Sequence, residues 1–441
     1  MWSIGTAHLS HCSGCGLVHG DWPLDDLHRA AAAPPQAWEA IASVLAARAR
    51  RGDVLVVREG GSTPPQISAG VENAWMRIVD AAGLAHLPTS MRFATVVVLS
   101  GLSAVDNPVV FLAQLRERVA PGGVFVIAQH TIENPKGGRI ARSSQRWAKP
   151  AQWHFTRHTL HLTLLRAGLE RVWIRTEEAG RLLVSAEVAT TRSAPRLSVI
   201  VPVFNEAGTC ATLLDRLFAN ELPDLEQEIV IVESNSTDGT REIVERYRRN
   251  RRARVVMEDR PRGKGHAVRT GLAHATGDIV LIQDADLEYD IEDYPLLLQP
   301  LLDWQTLFVL GSRHSGDWKL RVFNDAPLTA TVFNLGHVFY TSLVNTALKT
   351  AMTDPFTMFK VFRRDCLHGL AFEGQRFDFD FELVMKLVRK GYVPRELPVN
   401  YTSRSFSEGK KVSFFRDGLS WVWAVLKFRV GALGPGDADR F

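Results

Sequence analysis

Two aspartates close an apolar run in Asp278-Ile279-Val280-Leu281-Ile282-Gln283-Asp284-Ala285-Asp286. Side chains at i and i+2 of a regular strand share a face, which would stand Asp284 and Asp286 together at a strand's carboxyl end. Two carboxylates so close repel unless a cation holds them, and hard divalent cations prefer oxygen ligands. The pair therefore reads as a site for Mg²⁺ or Mn²⁺. Asp-x-Asp alone is common by chance, and its weight comes from three segments before it.

Leu197-Ser198-Val199-Ile200-Val201 runs straight into Pro202-Val203-Phe204-Asn205-Glu206. Glu228-Ile229-Val230-Ile231-Val232 runs into Glu233-Ser234-Asn235-Ser236-Thr237-Asp238-Gly239-Thr240. Each is an apolar strand ending in polar side chains, and ligands of open α/β sheets bind at that edge. An acidic residue such as Glu233 can accept hydrogen bonds from a base or ribose there. The competing reading of either segment is a helix N-cap. Arg260-Pro261-Arg262-Gly263-Lys264-Gly265-His266-Ala267 sets glycines around a lysine, which suits close backbone approach to a diphosphate, although basic Gly-rich turns are common.

Apolar runs of strand length alternate with helical patterns throughout, which predicts an α/β architecture. In the first half Val54–Val57, Thr95–Leu99 and Gly123–Ala128 read as buried parallel strands. Asn107-Pro108 opens a helix between the last two, and Pro121-Gly122-Gly123 reads as the turn back into a strand. Thr190–Pro195 has linker composition. The expected organisation is a domain over 1–190, a linker over 191–196 and a second domain over 197–441. The 441 residues suit two or three domains. With 46% hydrophobic and 23% charged residues the chain reads as a globular protein, and a net charge of +4 gives no reason to expect nucleic acid as a partner. Four dispersed cysteines build no disulfide framework, which suits a reducing compartment. Neither a signal peptide nor a run of about 20 apolar residues is visible. Ala326–Leu348 reads as a buried or interfacial helix.

Together these motifs resemble family 2 glycosyltransferases of the GT-A fold, in the dolichyl- or polyprenyl-phosphate mannose/glucose synthase branch. The resemblance extends through Asp284–Asp290, Gly311-Ser312-Arg313, Phe359–Arg364, Tyr401, Arg404 and Glu408–Lys411. It implies that Pro202, Phe204, Asn205 and Glu206 bind the nucleoside, with Glu233 toward the base and Lys264, Gly265 and Ala285 along the donor. Asp284 and Asp286 would hold the metal against the sugar diphosphate. Arg313 and Lys360 would face phosphates, and Arg404 and Lys410 would lie in a segment closing over the site. Glu233 and Ser234 stand where the family usually has aspartates, so guanine and uracil both remain open.

The mechanism implied is one inverting displacement, with the metal carrying the charge that develops on the leaving diphosphate. A polyprenyl phosphate acceptor is already anionic and needs no strong base, whereas a hydroxyl acceptor does. Phe377-Asp378-Phe379-Asp380-Phe381-Glu382 borders the acceptor in relatives, which makes Asp378 and Asp380 the candidate bases; the competing reading is a solvated helix start. Phe414–Arg429 mixes Trp and Phe with Arg and Lys and could lie in a membrane interface or pack on the domain. Arg248–Arg254 is a basic block, either a solvated helix end or a patch for anionic lipid. A peripheral enzyme on the cytoplasmic face of a membrane is expected.

Val96–Ser100, Asn107-Pro108, Pro121–Gly123, His154–Leu160 and Leu165–Leu169 resemble a class I S-adenosylmethionine-dependent methyltransferase, implying a Rossmann-like N-terminal domain. Arg58–Pro65 departs from that family's Gly-rich cofactor turn, and about forty residues between Val57 and Val97 leave little room for the usual strands. A degenerate domain is expected, without S-adenosylmethionine; a bifunctional methyltransferase/glycosyltransferase is the alternative. Cys12 and Cys15 have the spacing of half a zinc site, and zinc is not expected. Transfer to a hydroxyl of a surface polysaccharide or glycolipid is the second enzymatic reading, and a catalytically silent interaction protein the third.

Overall fold

A computed structural model describes residues 2–4, 7–11, 18–21, 53–58, 76–79, 83–88, 90–99, 102, 105–130, 153–177, 181–188, 194–223, 225–313, 327–376, 378–402, 414–431 and 433–434. The chain divides into two units, Met1–Arg192 with Asp437–Phe441, and Ser193–Gly436.

In the N-terminal unit β1 (Trp2–Ile4), β2 (Ala7–His11) and β3 (Val18–Asp21) form an antiparallel sheet with β8 (Trp153–His154). A second sheet holds β4 (Val54–Arg58), β5 (Met76–Val79), β6 (Phe93–Leu99), β7 (Val119–His130), β9 (Leu169–Glu177) and β10 (Arg181–Val188), in the order β5-β4-β6-β7-β10-β9. The first four run parallel, and β10 is antiparallel to both its neighbours. Helix α1 (Pro108–Arg116) starts where Asn107 accepts bonds from the Val109 and Val110 amides, and α2 (Arg157–Arg166) starts with a Thr156–Thr159 capping box. Between β4 and β6 the described residues hold one strand and one short 3₁₀ turn, Gly83–His86. The turn expected at Pro121–Gly123 is instead a bulge inside the long β7. Phe93 pairs with Val119 and Thr95 with Val124, and the surplus residues are taken up where Gly122 adopts φ +73°. Residues 12–15 and 59–65 lie outside the described residues.

The C-terminal unit carries one seven-stranded mixed sheet. In chain order its elements are β11 (Arg196–Val203), α3 (Cys210–Ala219), β12 (Glu226–Glu233), α4 (Thr240–Arg246), β13 (Ala253–Met257), α5 (Lys264–His274) and β14 (Ile279–Ile282). They continue with α6 (Tyr294–Leu302), β15 (Phe308–Ser312), α7 (Pro327–Leu348), β16 (Lys360–Arg363), α8 (Asp378–Arg389), β17 (Arg395–Pro398) and α9 (Phe414–Val430). The strand order is β13-β12-β11-β14-β16-β15-β17. β11 to β14 are mutually parallel, and β16 runs against both its neighbours. The apolar runs in β11, β12 and β14 are continuous rather than alternating because helices cover both sheet faces. Val199, Val201, Leu213, Leu217, Ile231 and Phe359 are wholly buried in the core. Each contributes roughly 1.5–3 kcal/mol, so Leu213→Ala would cost about 2–5 kcal/mol. Gly271 lets α5 sit directly on β11, since a Cβ there would lie 2.4 Å from Ile200 Cγ2.

The four parallel strands β11 to β14 open their carboxyl ends at one edge. The basic block Arg248–Arg252 precedes β13 and therefore sits at the opposite edge. Arg252 is tied to Gln227 and to the Phe218 carbonyl, and Arg248 to Glu245.

Candidate functional site

A cavity of about 1170 Å³ opens at the carboxyl edge of β11 to β14. Its first wall is the turn after β11. Asn205 adopts φ +52°, its amide donates to Ser236 Oγ (2.9 Å), and its side-chain oxygen accepts the Thr237 amide (2.9 Å). The Glu206 amide donates to Thr240 Oγ1 at 2.9 Å. These bonds tie the ends of β11 and β12 together, leaving Pro202, Phe204 and Glu206 on the cavity wall. Asn205 shapes the turn and is not among the lining residues.

Glu233 occupies a different position from the one its sequence suggests. Its carboxylate is fully buried and accepts the Ser236 amide (2.6 Å), the Asn235 amide (3.2 Å) and Arg241 Nη1 (2.6 Å). It braces the turn, and Ser234 lines the cavity beside it. Ser234 Oγ donates to Glu258 Oε2 at 2.7 Å, while Glu258 Oε1 meets His266 Nδ1 at 2.7 Å and Thr270 Oγ1 at 3.2 Å. Sequence reasoning missed this Ser234–Glu258–His266 cluster. The signal was present, since Glu258 ends the apolar run of β13 just as Glu233 ends that of β12.

Gly263 and Gly265 stand close to protein backbone. A Cβ on Gly263, which has φ +100°, would lie 2.5 Å from the Gln375 carbonyl; one on Gly265 would lie 2.6 Å from Phe379 Cβ. The His266 amide donates to that Gln375 carbonyl at 3.0 Å. The loop before α8 is thus seated on the start of α5, which presents Lys264 to the cavity. The glycines make room for this loop, and Gly265 does not line the cavity.

Lys264 Nζ lies 2.6 Å from Asp284 Oδ1 and 2.7 Å from Oδ2. Burial disfavours its ammonium, but Asp284, Asp380 and Asp286 outweigh that and hold its pKa above the ordinary lysine value. Strand β14 ends at Ile282, so Asp284, Ala285 and Asp286 lie on the following turn and not on a strand face. The turn is shaped by Leu287 at φ +61°, by the Glu288 amide donating to Asp286 Oδ1 (3.2 Å), and by Thr209 Oγ1 donating to the Ala285 carbonyl (2.7 Å). All three residues line the cavity. Among the described residues no cluster of three or more His, Cys, Asp and Glu could hold a metal. Two carboxylates on an open turn nevertheless suit Mg²⁺ or Mn²⁺, whose remaining positions are normally filled by substrate phosphates and water.

Arg313 also lines the cavity. Its Nε and Nη2 donate to Asp354 at 2.7 and 2.8 Å, and its guanidinium lies over the Tyr401 ring at 5.3 Å. Burial would raise the Asp354 carboxyl, but Arg313 outweighs it and holds that group well below the usual carboxylate range. Lys360 departs from expectation: it is wholly buried, donates to the Thr357 carbonyl and to Asp380 Oδ1 (3.1 Å), and does not line the cavity. Burial drives its pKa below the ordinary lysine value against the pull of Asp380. Its place on the central β16 turns it into the core. Of the acidic run at α8, Asp380 alone lines the cavity. Asp378 accepts the Arg376 amide (2.8 Å), and Glu382 accepts the Glu373 and Gly374 amides and pairs with Lys386 at 2.6 Å. Arg404 and Lys410 lie outside the described residues.

The far wall comes from α7 through Gly336, His337 and Tyr340. On the same helix Leu335, Val338 and Phe339 are exposed, as are Trp423, Leu426 and Val430 on α9. Trp423 is 67% exposed, so its ring belongs to the surface and not to the core. No helix among the described residues is long and apolar enough to cross a membrane.

Residues 198–370 match the model of glycosyl transferase family 2. The chain is 29% identical over 260 residues to the low-salt glycan biosynthesis hexosyltransferase Agl6 of Haloferax volcanii, covering 58% of this chain and 59% of the relative. It is 25% identical over 248 residues to a dolichol-phosphate mannosyltransferase of Pyrococcus furiosus (56% and 66%) and 28% identical over 246 residues to the dolichyl-phosphate beta-glucosyltransferase ALG5C of Trichomonas vaginalis (53% and 71%). The match thus spans less than two thirds of the length of the first two relatives. Among solved structures, glucosyl-3-phosphoglycerate synthase of Mycobacterium tuberculosis aligns with a TM-score of 0.41 and 21% identity over 56% of this chain and 83% of that one. The mixed α/β sheet and the cavity at its carboxyl edge are thus built on the stretch that carries the family match, and residues 198–370 are a glycosyl transferase family 2 domain.

Proposed function

We propose that the C-terminal unit transfers a hexose from a nucleoside-diphosphate sugar, GDP-mannose or a UDP-sugar, to the phosphate of a polyprenyl-type lipid. The observation that carries this reading is the Asp284–Asp286 turn, open to the cavity between the nucleoside-side wall of Pro202, Phe204 and Glu206 and the α7 wall. Asp284 and Asp286 would hold Mg²⁺ or Mn²⁺, which supplies Lewis-acid stabilisation of the leaving diphosphate. Lys264, at the N-terminus of α5, adds positive charge and a helix end where a diphosphate is favoured. Glu206 and Ser234 offer polar groups for the nucleoside. Arg313, held rigid by Asp354, offers positive charge toward the acceptor side.

Two features support a lipid acceptor. The relatives named above include dolichol-phosphate mannosyl- and dolichyl-phosphate glucosyltransferases. Helix α7 also joins the cavity to an exposed apolar face at Leu335, Val338 and Phe339, and such a face suits an acyl or isoprenoid phase. The enzyme would then act as a peripheral protein on the cytoplasmic face of a membrane. The test is donor turnover with GDP-mannose and UDP-glucose, with and without a polyprenyl phosphate, in Mn²⁺ and in excess chelator. Product that appears only with lipid phosphate and metal is the expected result, and equal turnover in chelator would sink the metal reading.

A hydroxyl acceptor is the second reading, and the exposure of Asp380 to the cavity favours it. A carboxylate there can take the proton of an attacking hydroxyl, with Lys360 holding its orientation from behind. For the N-terminal unit the proposal is a degenerate methyltransferase-like domain over residues 1–190 that docks or recruits and binds no S-adenosylmethionine. Calorimetry of the full chain with S-adenosylmethionine tests it, and a micromolar dissociation constant would favour the bifunctional alternative.

A further inference from the structure

Both oxygens of Asp284 are engaged by a single ammonium, Lys264 Nζ. A divalent ion on Asp284 would take one of the same oxygens at about 2.0–2.6 Å. It would then stand as a like charge almost in contact with Nζ, so metal and Lys264 compete for this carboxylate. Lys264 is also poorly placed by its own element. It is the first residue of α5, at the positive end of the helix dipole, where cations are disfavoured. The backbone cannot shift to relieve this, because Gly263 and Gly265 are packed against the loop at residues 374–376 and against Phe379. Its other hydrogen-bond partner is Met358 Sδ at 3.3 Å, a weak acceptor, while Asp380 and Asp286 add negative charge nearby without bonding to it. Displaced from Asp284, the ammonium needs new oxygens.

Resting on the donor reading above, we infer that Lys264 couples the binding of metal to the binding of the nucleoside diphosphate. Metal arriving alone must push Lys264 off Asp284 and leave two cations beside a helix N-terminus. A diphosphate arriving with the metal supplies oxygens for the displaced ammonium, so each ligand removes the other's penalty. The coupling is reciprocal by linkage: the factor by which the nucleotide tightens metal binding is the factor by which metal tightens nucleotide binding.

The test is Mn²⁺ binding to the full chain by electron paramagnetic resonance, alone and with saturating UDP or GDP. The wild type should bind Mn²⁺ about ten-fold or more tightly with nucleotide than without, within the usual range of coupling between sites. Lys264→Met should bind Mn²⁺ alone several-fold more tightly than wild type, and its coupling factor should shrink toward one. Lys264→Arg, which keeps the charge, should keep the coupling. Lys264→Gln repeats the measurement with a polar side chain, so that a folding defect peculiar to Met does not decide the result. If both neutral variants bind Mn²⁺ alone no more tightly than wild type, or keep its coupling factor, the exchange is wrong. A wild type that binds Mn²⁺ with neither nucleotide would overturn the donor reading itself, and with it this inference.

Discussion

Two Asp-x-Asp pairs, Asp284-x-Asp286 and Asp378-x-Asp380, bring carboxylates to one cavity, and the two behave differently. The first lies on a turn beyond β14, where the backbone is bent by Leu287 at φ +61° and both residues line the cavity. The second lies in the first turn of α8, where residues i and i+2 do not face each other. Asp378 therefore serves the loop before the helix, accepting the Arg376 amide, and Asp380 alone reaches the cavity. Two carboxylates become a candidate metal site only where the backbone leaves them on one side and gives them few other donors. Glu382 is the extreme case, satisfied by two backbone amides and Lys386.

This contrast can be broken most decisively at the first pair. Asp284→Ala and Asp286→Ala should each abolish transfer, a loss of several kcal/mol of transition-state stabilisation, whereas Asp378→Ala should keep activity within a few-fold. Initial rates at saturating Mn²⁺ decide it, and comparable losses at Asp378 and Asp284 would erase the distinction between turn and helix.

Glu382→Ala should do to stability what Asp284→Ala does to activity. Removing one partner of a buried, hydrogen-bonded ion pair costs about 3–5 kcal/mol, read as a lower melting temperature. Asp284→Asn should leave the melting curve much nearer that of wild type. A Glu382 variant that melts normally would show that the loop at residues 373–374 finds other acceptors.

Asp380→Asn sharpens the choice of acceptor. With a lipid phosphate the loss in kcat should be small; with a hydroxyl acceptor it should reach about 10²–10⁴-fold, the usual contribution of a general base. The smallest effect belongs to the apolar surface. Trp423→Ala should weaken co-sedimentation with anionic liposomes without moving the melting temperature, because the ring is 67% exposed. A fall in melting temperature would instead assign that ring to packing. Salt should weaken the same binding only modestly, since the Arg248–Arg252 block sits at the sheet edge away from the cavity.

The sequence by itself determined where chemistry could happen. Continuous apolar runs ending in Pro202–Glu206, Ser234 and Asp284–Asp286 are readable because a parallel strand buried on both faces has no other composition, and its polar end marks the sheet's carboxyl edge. Lys264 was legible from the glycines on either side of it, whereas its place as the first residue of α5 came only from the structure. What each polar group does at that edge was decided by tertiary structure, because its partners are far away in the chain. Glu233 is buried against Arg241 and the turn it braces; Lys360 lies in the core because β16 is central, where it meets Asp380. Gly265 serves a loop more than a hundred residues later. The Ser234–Glu258–His266 cluster and the α7 wall exist only once three strand ends and a distant helix meet. A local pattern sets which edge a residue occupies, but burial and hydrogen-bond satisfaction are settled by whatever the fold brings beside it.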